Sequence, residues 1–308
     1  MTMQQPSNQA PLLDVENLRV TLRTAEGPFD AVRGVSFRLG RERLGIVGES
    51  GSGKSMTARA ILGLLPHGGC LRADRMQLGD TDLCDLGDRA WTRIRGKRIS
   101  MVLQDPRHAL NPVKTIGRQI DETLCRHLGL SRRDARARTL TLLDAVHIRD
   151  PERVYRAFPH EVSGGMGQRA MIALMVAAEP EVLIADEPTS ALDLAVQNQV
   201  LNVLDEQVVG RGMGLIFISH DLDLVSRFCD RVLVMYGGEV VEELPADRLS
   251  DATHPYTRGL IDCAPRLGQG RQRFKTLDRA AISLALRHEP ADLPVAGHLR
   301  GVAEGLHP

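Results

Sequence analysis

No stretch of this chain is apolar for long enough to cross a bilayer. The longest apolar run, Ala170 to Ala178, falls far short of the ~20 residues a spanning helix needs. The first residues, Met1 to Pro11, are polar and contain no signal-peptide apolar region. Together these features point to a cytosolic protein. There is no C-x-x-C pair. The five cysteines (Cys70, Cys84, Cys125, Cys229 and Cys263) are scattered, so neither a disulfide framework nor a zinc site is indicated. Net charge is absent too: Lys plus Arg and Asp plus Glu are both 39, which argues against a global nucleic-acid-binding field. Two arginine-rich stretches (Arg93, Arg95, Lys97, Arg98 and Arg132, Arg133, Arg136, Arg138) read as solvated faces. With 3% aromatic residues, neither carries the interleaved stacking platform of a nucleic-acid binder. What is present is 308 residues, 43% of them hydrophobic, enough for one large domain or two modest ones with a sizeable core.

The order of elements follows from the apolar pattern. Short strand-like runs lie at Leu18–Leu22, Val35–Leu39 and Leu44–Val47, and a helix is expected over Met56–Leu65. Ile99–Leu103 is a buried strand candidate, and Asp105–Pro112, with its prolines, reads as a loop. From Thr115 to Ala145 the spacing is helical. Gln168–Ala178 is an almost wholly apolar helix, buried on most sides. Val182–Ala185, Leu215–Ile218 and Val232–Met235 are continuous apolar runs, the mark of parallel strands covered on both faces. Helical segments at Leu192–Val208 and Leu222–Phe228 separate them, so the chain alternates α and β around a mainly parallel sheet. After Leu244 the pattern weakens, and residues 265–308 resolve into no element.

The chemistry concentrates in a few places. Gly48-Glu49-Ser50-Gly51-Ser52-Gly53-Lys54-Ser55 fits G-x-x-x-x-G-K-[ST], between a strand and a helix. Glycines let backbone N–H groups turn inward around an anion. Lys54 is expected to reach the β- and γ-phosphates and Ser55 to hold Mg²⁺. The acidic pair Asp186-Glu187 ends a buried strand, where α/β sheets bind ligands. Asp186 suits Mg²⁺, and Glu187 suits a general base acting on water. Ser163-Gly164-Gly165 precedes the apolar helix; it is either an ordinary N-cap or a second anion site. Gln104 and His220 each end an apolar strand. If the sheet is parallel, both project from the same edge as Gly48 and Asp186, where they could sense a γ-phosphate.

In this order the motifs resemble the ATP-binding subunit of an ABC transporter. Gly48–Ser55 matches Walker A, Leu183–Asp186 Walker B, and Glu187 the catalytic glutamate. Val162–Met166 matches the signature, Gln104 the Q-loop, Ser190-Ala191-Leu192-Asp193 the D-loop, and His220 the H-loop. A narrower resemblance, to oligopeptide, dipeptide and nickel importers, rests on Gln104-Asp105-Pro106, Leu110-Asn111-Pro112, Ser163–Met166 and His254-Pro255-Tyr256-Thr257.

The resemblance implies a P-loop NTPase (RecA-like) core with a mixed, mainly parallel sheet, an antiparallel β subdomain and an inserted helical subdomain. The nucleotide-binding domain would span 12–262, its core 12–104 and 176–244 and its helical part 105–175. A C-terminal extension at 263–308 would be family-like at its start and irregular after. ATP and Mg²⁺ are the implied cofactors, with Ser55, Gln104 and Asp186 around the metal and Phe29 stacking on adenine, unless Phe29 is an ordinary core aromatic. Glu187, His220 and Gln104 would act in hydrolysis, and Ser163, Gly164 and Gly165 would close over the ATP of a partner.

The implied partners are a second, related ATPase subunit, two transmembrane permease subunits and an extracytoplasmic substrate-binding protein, with no nucleic acid. The chain would sit peripherally on the cytoplasmic face of the inner membrane. An exporter ATPase, or a non-transport ATPase acting on nucleic acid or the ribosome, is the alternative. Val162 replaces the usual leucine, and Gly167 stands where this subfamily usually has arginine. Only Cys263 lies where relatives carry a tail cysteine cluster, so no iron–sulfur cluster is expected.

Overall fold

The computed structural model describes residues 10–263 apart from residue 191. Ala191 of the D-loop stretch, residues 1–9 of the polar start and the tail beyond Cys263, with its iron–sulfur reading, lie outside the described residues. The chain opens with two long strands, β1 (Leu13–Thr24) and β2 (Gly27–Leu39), then β3 (Arg43–Val47) and α1 (Lys54–Ile61). Three short strands follow, β4 (Cys70–Arg72), β5 (Arg75–Leu78) and β6 (Thr81–Asp82), then α2 (Asp88–Ile94) and β7 (Ile99–Val102). Next come α3 (Pro106–Ala109), α4 (Ile116–Leu128), α5 (Arg132–Ala145), α6 (Pro151–Arg156) and α7 (Gly164–Val176). The last described part is β8 (Val182–Asp186), α8 (Leu194–Arg211), β9 (Gly214–Ile218), α9 (Leu222–Phe228), β10 (Arg231–Tyr236), β11 (Glu239–Pro245) and α10 (Pro255–Cys263).

Two sheets form. The first is antiparallel, in the order β2-β1-β5-β6 with β4 also paired to β1. The second runs β11-β10-β3-β9-β8-β7. Its five inner and far strands are parallel, and β11 adds an antiparallel edge. The expectation of a mainly parallel, mixed sheet with an antiparallel companion holds. Successive side chains of a strand point to opposite faces, and the central strands use this fully. Leu183 and Ala185 of β8 join one core with the helices α4–α9, while Val182 and Ile184 join the other with α1, β1 and β2. All five residues of β8 and of β9 are buried, which is why Val182–Ala185 and Leu215–Ile218 are continuously apolar rather than alternating.

Element ends differ from the sequence reading where a cap decides. The Asp105–Pro112 loop contains one helical turn, because Asp105 accepts from Arg107 N and Pro106 sits at the first helical position. α7 begins at Gly164, ahead of Gln168, because the Ser163 hydroxyl caps it. α8 continues past Val208 until Gly212, in the left-handed conformation at φ 61°, ends it. α10 arises where no pattern was evident.

Between β7 and β8 the helices are tied by a polar knot. Asp121 of α4 accepts hydrogen bonds from Thr139 Oγ1 of α5 at 2.5 Å and from Tyr155 Oη of α6 at 2.6 Å. Burial, then the bond to Asp121, push the Tyr155 phenol up to about 12. Tyr155→Phe is expected to cost about 1.5–3 kcal/mol in urea unfolding, the range for a hydrogen bond to a charged group. A phenol with a raised pKa stabilises the fold only while it is protonated in the unfolded chain. The parent's advantage should therefore be full below pH 10 and vanish as the pH rises towards about 12.

Candidate nucleotide site

The site begins with the loop between β3 and α1. Gly48, Gly51 and Gly53 take φ values of 153°, 84° and 101°. A Cβ on Gly48 would lie 2.2 Å from the Met235 carbonyl oxygen, and one on Gly53 2.6 Å from that of Ala31. Gly48 and Gly53 are thus required by both conformation and space, and Gly51 by conformation alone. Lys54, only 6% exposed, donates from Nζ to Gly48 O and Glu49 O, each at 2.8 Å. Burial pulls its pKa below the ordinary lysine value, opposed by Glu187, Asp186 and Glu49. Ser52 Oγ is buried and has no hydrogen-bond partner among the described residues. An unsatisfied buried hydroxyl within the glycine loop fits an anion as its missing partner.

Beside this loop, β8 ends at Asp186, 9% exposed. Its Oδ1 accepts from Ser55 Oγ at 2.9 Å. Burial raises the Asp186 pKa above the ordinary carboxylate value, and the Ser55 hydrogen bond only partly offsets this. A hydroxyl and a costly buried carboxylate in contact form an oxygen donor set suited to Mg²⁺. Glu187 follows in the left-handed region at φ 47°, uncommon for a residue with a side chain. Its N–H donates to Ile218 O of β9 at 3.0 Å, so the neighbouring strand holds the strained turn in place. Its Oε1 lies 3.2 Å from Nδ1 of His220. These two residues line a small pocket with Thr189, Ser190, Gln197 and Ser219. The structure therefore brings Lys54, Ser55, Asp186, Glu187 and His220 to one edge of the parallel sheet.

Gln104 does not join this hydrogen-bonded cluster. It lines a cleft of about 700 Å³ with Asp105, Pro106, Ser163, Gly164 and Leu192. Ser163 caps α7, its Oγ accepting from Met166 N at 3.4 Å, and a Cβ on Gly164 would meet nothing. Gly165 is needed for packing: a Cβ there would come 2.6 Å from Val196 of α8. A Cβ on the buried Gly167 would lie 3.5 Å from Pro106, so the absence of a long side chain leaves room beside α3. Phe29 is 55% exposed, which removes the core reading. It stands two residues before Ala31, whose carbonyl abuts Gly53. The sequence reading missed Gln168, buried on α7, whose Nε2 donates to Pro188 O at 2.6 Å. That bond ties α7 to the turn carrying Glu187. A lone polar residue on an otherwise apolar helix was the available signal.

A family model described as "ABC transporter" matches residues 32–190. The chain is 48% identical over 270 residues to a Brucella abortus protein named for peptide import and ATP binding, covering 87% of this chain and 81% of that one. The chain belongs to the ABC transporter family. It is 44% identical over 268 residues to the dipeptide transport ATP-binding protein DppD of Haemophilus influenzae, covering 86% and 81% of the two chains. Among solved structures, the ATP-binding cassette MJ0796, a dimer in a post-hydrolysis state bound to ADP and Pi, superposes with a TM-score of 0.67. The two share 26% identity, and the match covers 76% of this chain and 98% of that one. The fold is that of the family's ATPase cassette.

Asp186→Asn removes a buried charge while keeping an acceptor for Ser55. The nucleotide-free variant should melt roughly 2–4 °C higher than the parent at neutral pH, equivalent to about 1 kcal/mol. The gap should narrow as the pH is lowered, because the parent carboxylate then no longer has to be buried charged. In titration calorimetry the same variant should lose the Mg²⁺-dependent part of its nucleotide affinity.

Proposed function

We propose that this chain is the ATP-hydrolysing subunit that powers import of peptides, or of a related small solute such as nickel or a metal chelate, through separate permease subunits. The observation that carries the catalytic part is the contact of Glu187 with His220 beside the Ser55–Asp186 pair, all around one glycine loop. The import part is supported by the 44–48% identity to proteins named for peptide and dipeptide import. Among the described residues no helix is long and apolar enough to cross a membrane. The reading places the chain peripherally on the cytoplasmic face, against two permeases fed by an extracytoplasmic binding protein.

In this mechanism the loop amides from Ser50 to Ser55 and Lys54 hold the phosphates, Ser52 adds its hydroxyl, and Phe29 stacks on the adenine. Ser55 and Asp186, with Gln104 once the site closes, would hold Mg²⁺, which would supply positive charge to the phosphoryl transfer. Glu187 takes a proton from the attacking water, whose oxygen bonds to the γ-phosphorus as the bond to ADP breaks. His220 orients Glu187 and the γ-phosphate.

Ser163, Gly164 and Gly165 serve a different molecule. Their helix start is directed to ATP held by a second, related ATPase subunit. That the similar cassette MJ0796 forms a dimer supports this pairing. ATP then bridges two chains, and hydrolysis removes the bridge. The Asn111–Thr115 loop, shaped by the buried Gln119 side chain bonding to Asn111, Lys114 and Thr115, presents the 80%-exposed Val113 to the permease.

Glu187→Gln should lower steady-state phosphate release by about 10²-fold or more, in the range of lost general-base catalysis, with ATP affinity retained. Turnover at the parental rate would remove Glu187 as the base. Deleting the chain from its cell should abolish uptake of labelled short peptides or of nickel, and uptake of every such solute at parental rates would refute the import reading.

A further inference from the structure

The segment after β11 is packed against the glycine loop through one side chain. Tyr256, at the start of α10, is fully buried, and its hydroxyl accepts a hydrogen bond from Glu49 N at 2.9 Å. The N–H of Glu49 and the carbonyl of Gly48 belong to the same peptide group, which is planar and trans, so they point in opposite directions. On the carbonyl side Lys54 Nζ donates to Gly48 O at 2.8 Å. A single peptide plane is therefore held at one end by Tyr256 and at the other by the lysine that meets the phosphates.

Tyr256 is itself braced. Its ring packs on Tyr236 with centroids 4.5 Å apart, and its own N–H donates to His254 Nδ1 at 3.2 Å. Glu242 of β11 accepts from Thr253 N, Thr253 Oγ1 and His254 N at 2.7, 3.0 and 3.2 Å. The same loop is tied on another side by Gly238 N donating to Ser52 O at 3.0 Å. A run of residues otherwise recognised only as a family-like motif thus reaches back to the phosphate loop across more than two hundred residues of chain.

We propose that Tyr256 is a positioning residue for nucleotide binding: it fixes the 48–49 peptide plane and, through it, the place of Lys54. The inference rests on the reading of this loop as the ATP site. Tyr256 touches no substrate. Its hydroxyl removes the freedom of the plane to rotate, so that the lysine and the loop amides are already aimed when phosphate arrives. Such preorganisation acts on ground state and transition state alike, and its loss therefore raises KM and leaves kcat in place.

The test is Tyr256→Phe in the full chain, with ATP binding, steady-state hydrolysis, melting temperature and amide hydrogen exchange measured together. Losing a neutral hydrogen bond should weaken ATP and ADP binding by roughly three- to tenfold, raise KM by the same factor and leave kcat within about twofold. Exchange of the Glu49 amide should quicken, with exchange in β8 and β9 unaffected. A variant with parental KM and parental Glu49 exchange overturns the proposal, as does one that melts lower while its KM stays parental. A parent chain that binds no ATP would instead sink the nucleotide reading itself, so the two failures are distinguishable.

Discussion

Parallel pairing of β3, β9 and β8 is the constraint on which the site depends. Ile46 pairs with Ile218, and Ile218 with Asp186. Three strands running the same way must release their chains at the same edge, so the glycine loop, the acidic pair and His220 emerge side by side although they are far apart in sequence. The pairing is held by burial on both faces, with Ile46, Val47, Ile184, Ala185, Phe217 and Ile218 all at 0% exposure. A slip of one residue would exchange the two cores and turn every side chain to the wrong layer. Local precision at the edge is thus inherited from bulk packing in the middle of the sheet.

At that edge the energetics favour charged partners. Asp186 is buried at a cost, Glu187 sits in a left-handed turn, and the Lys54 ammonium is desolvated and turned onto two carbonyls. Under the proposed function each of these would be relieved or put to use by a magnesium–polyphosphate, the cation meeting the carboxylate and the lysine an anionic oxygen. Stability surrendered in the core's polar rim would then reappear as affinity and as poised chemistry, a common pattern for functional sites. Burial, not sequence, places these groups under strain, and burial comes from the sheet.

Much of this was legible beforehand. The runs Val182–Ala185 and Leu215–Ile218 are apolar without alternation, and that alone identifies central strands. The glycine loop carries its geometry in its letters, since Gly48 and Gly53 have no room for a Cβ. What was not legible depended on contacts distant in sequence or on caps. β1 and β2 run for 12 and 13 residues, well beyond the short runs expected, because exposed positions such as Glu16 and Arg33 interrupt their apolar pattern. The single-turn helix at Pro106 is set by Asp105, and the start of α7 by Ser163. α10 and the role of Tyr256 were invisible, because what holds them is Glu242 and the Glu49 amide rather than any local periodicity.

Under the proposed mechanism one chain carries two nucleotide-facing surfaces that serve different ATP molecules. This is tested most directly by electron paramagnetic resonance, with a nitroxide on Ser163 and Mn²⁺ replacing Mg²⁺ beside bound ATP. In the isolated chain only a long Mn²⁺–nitroxide distance should be found. In the assembled, hydrolysis-blocked transporter a second, short distance should arise from nucleotide on the partner ATPase. A short distance already present in the isolated monomer, or none in the assembled complex, would contradict the account.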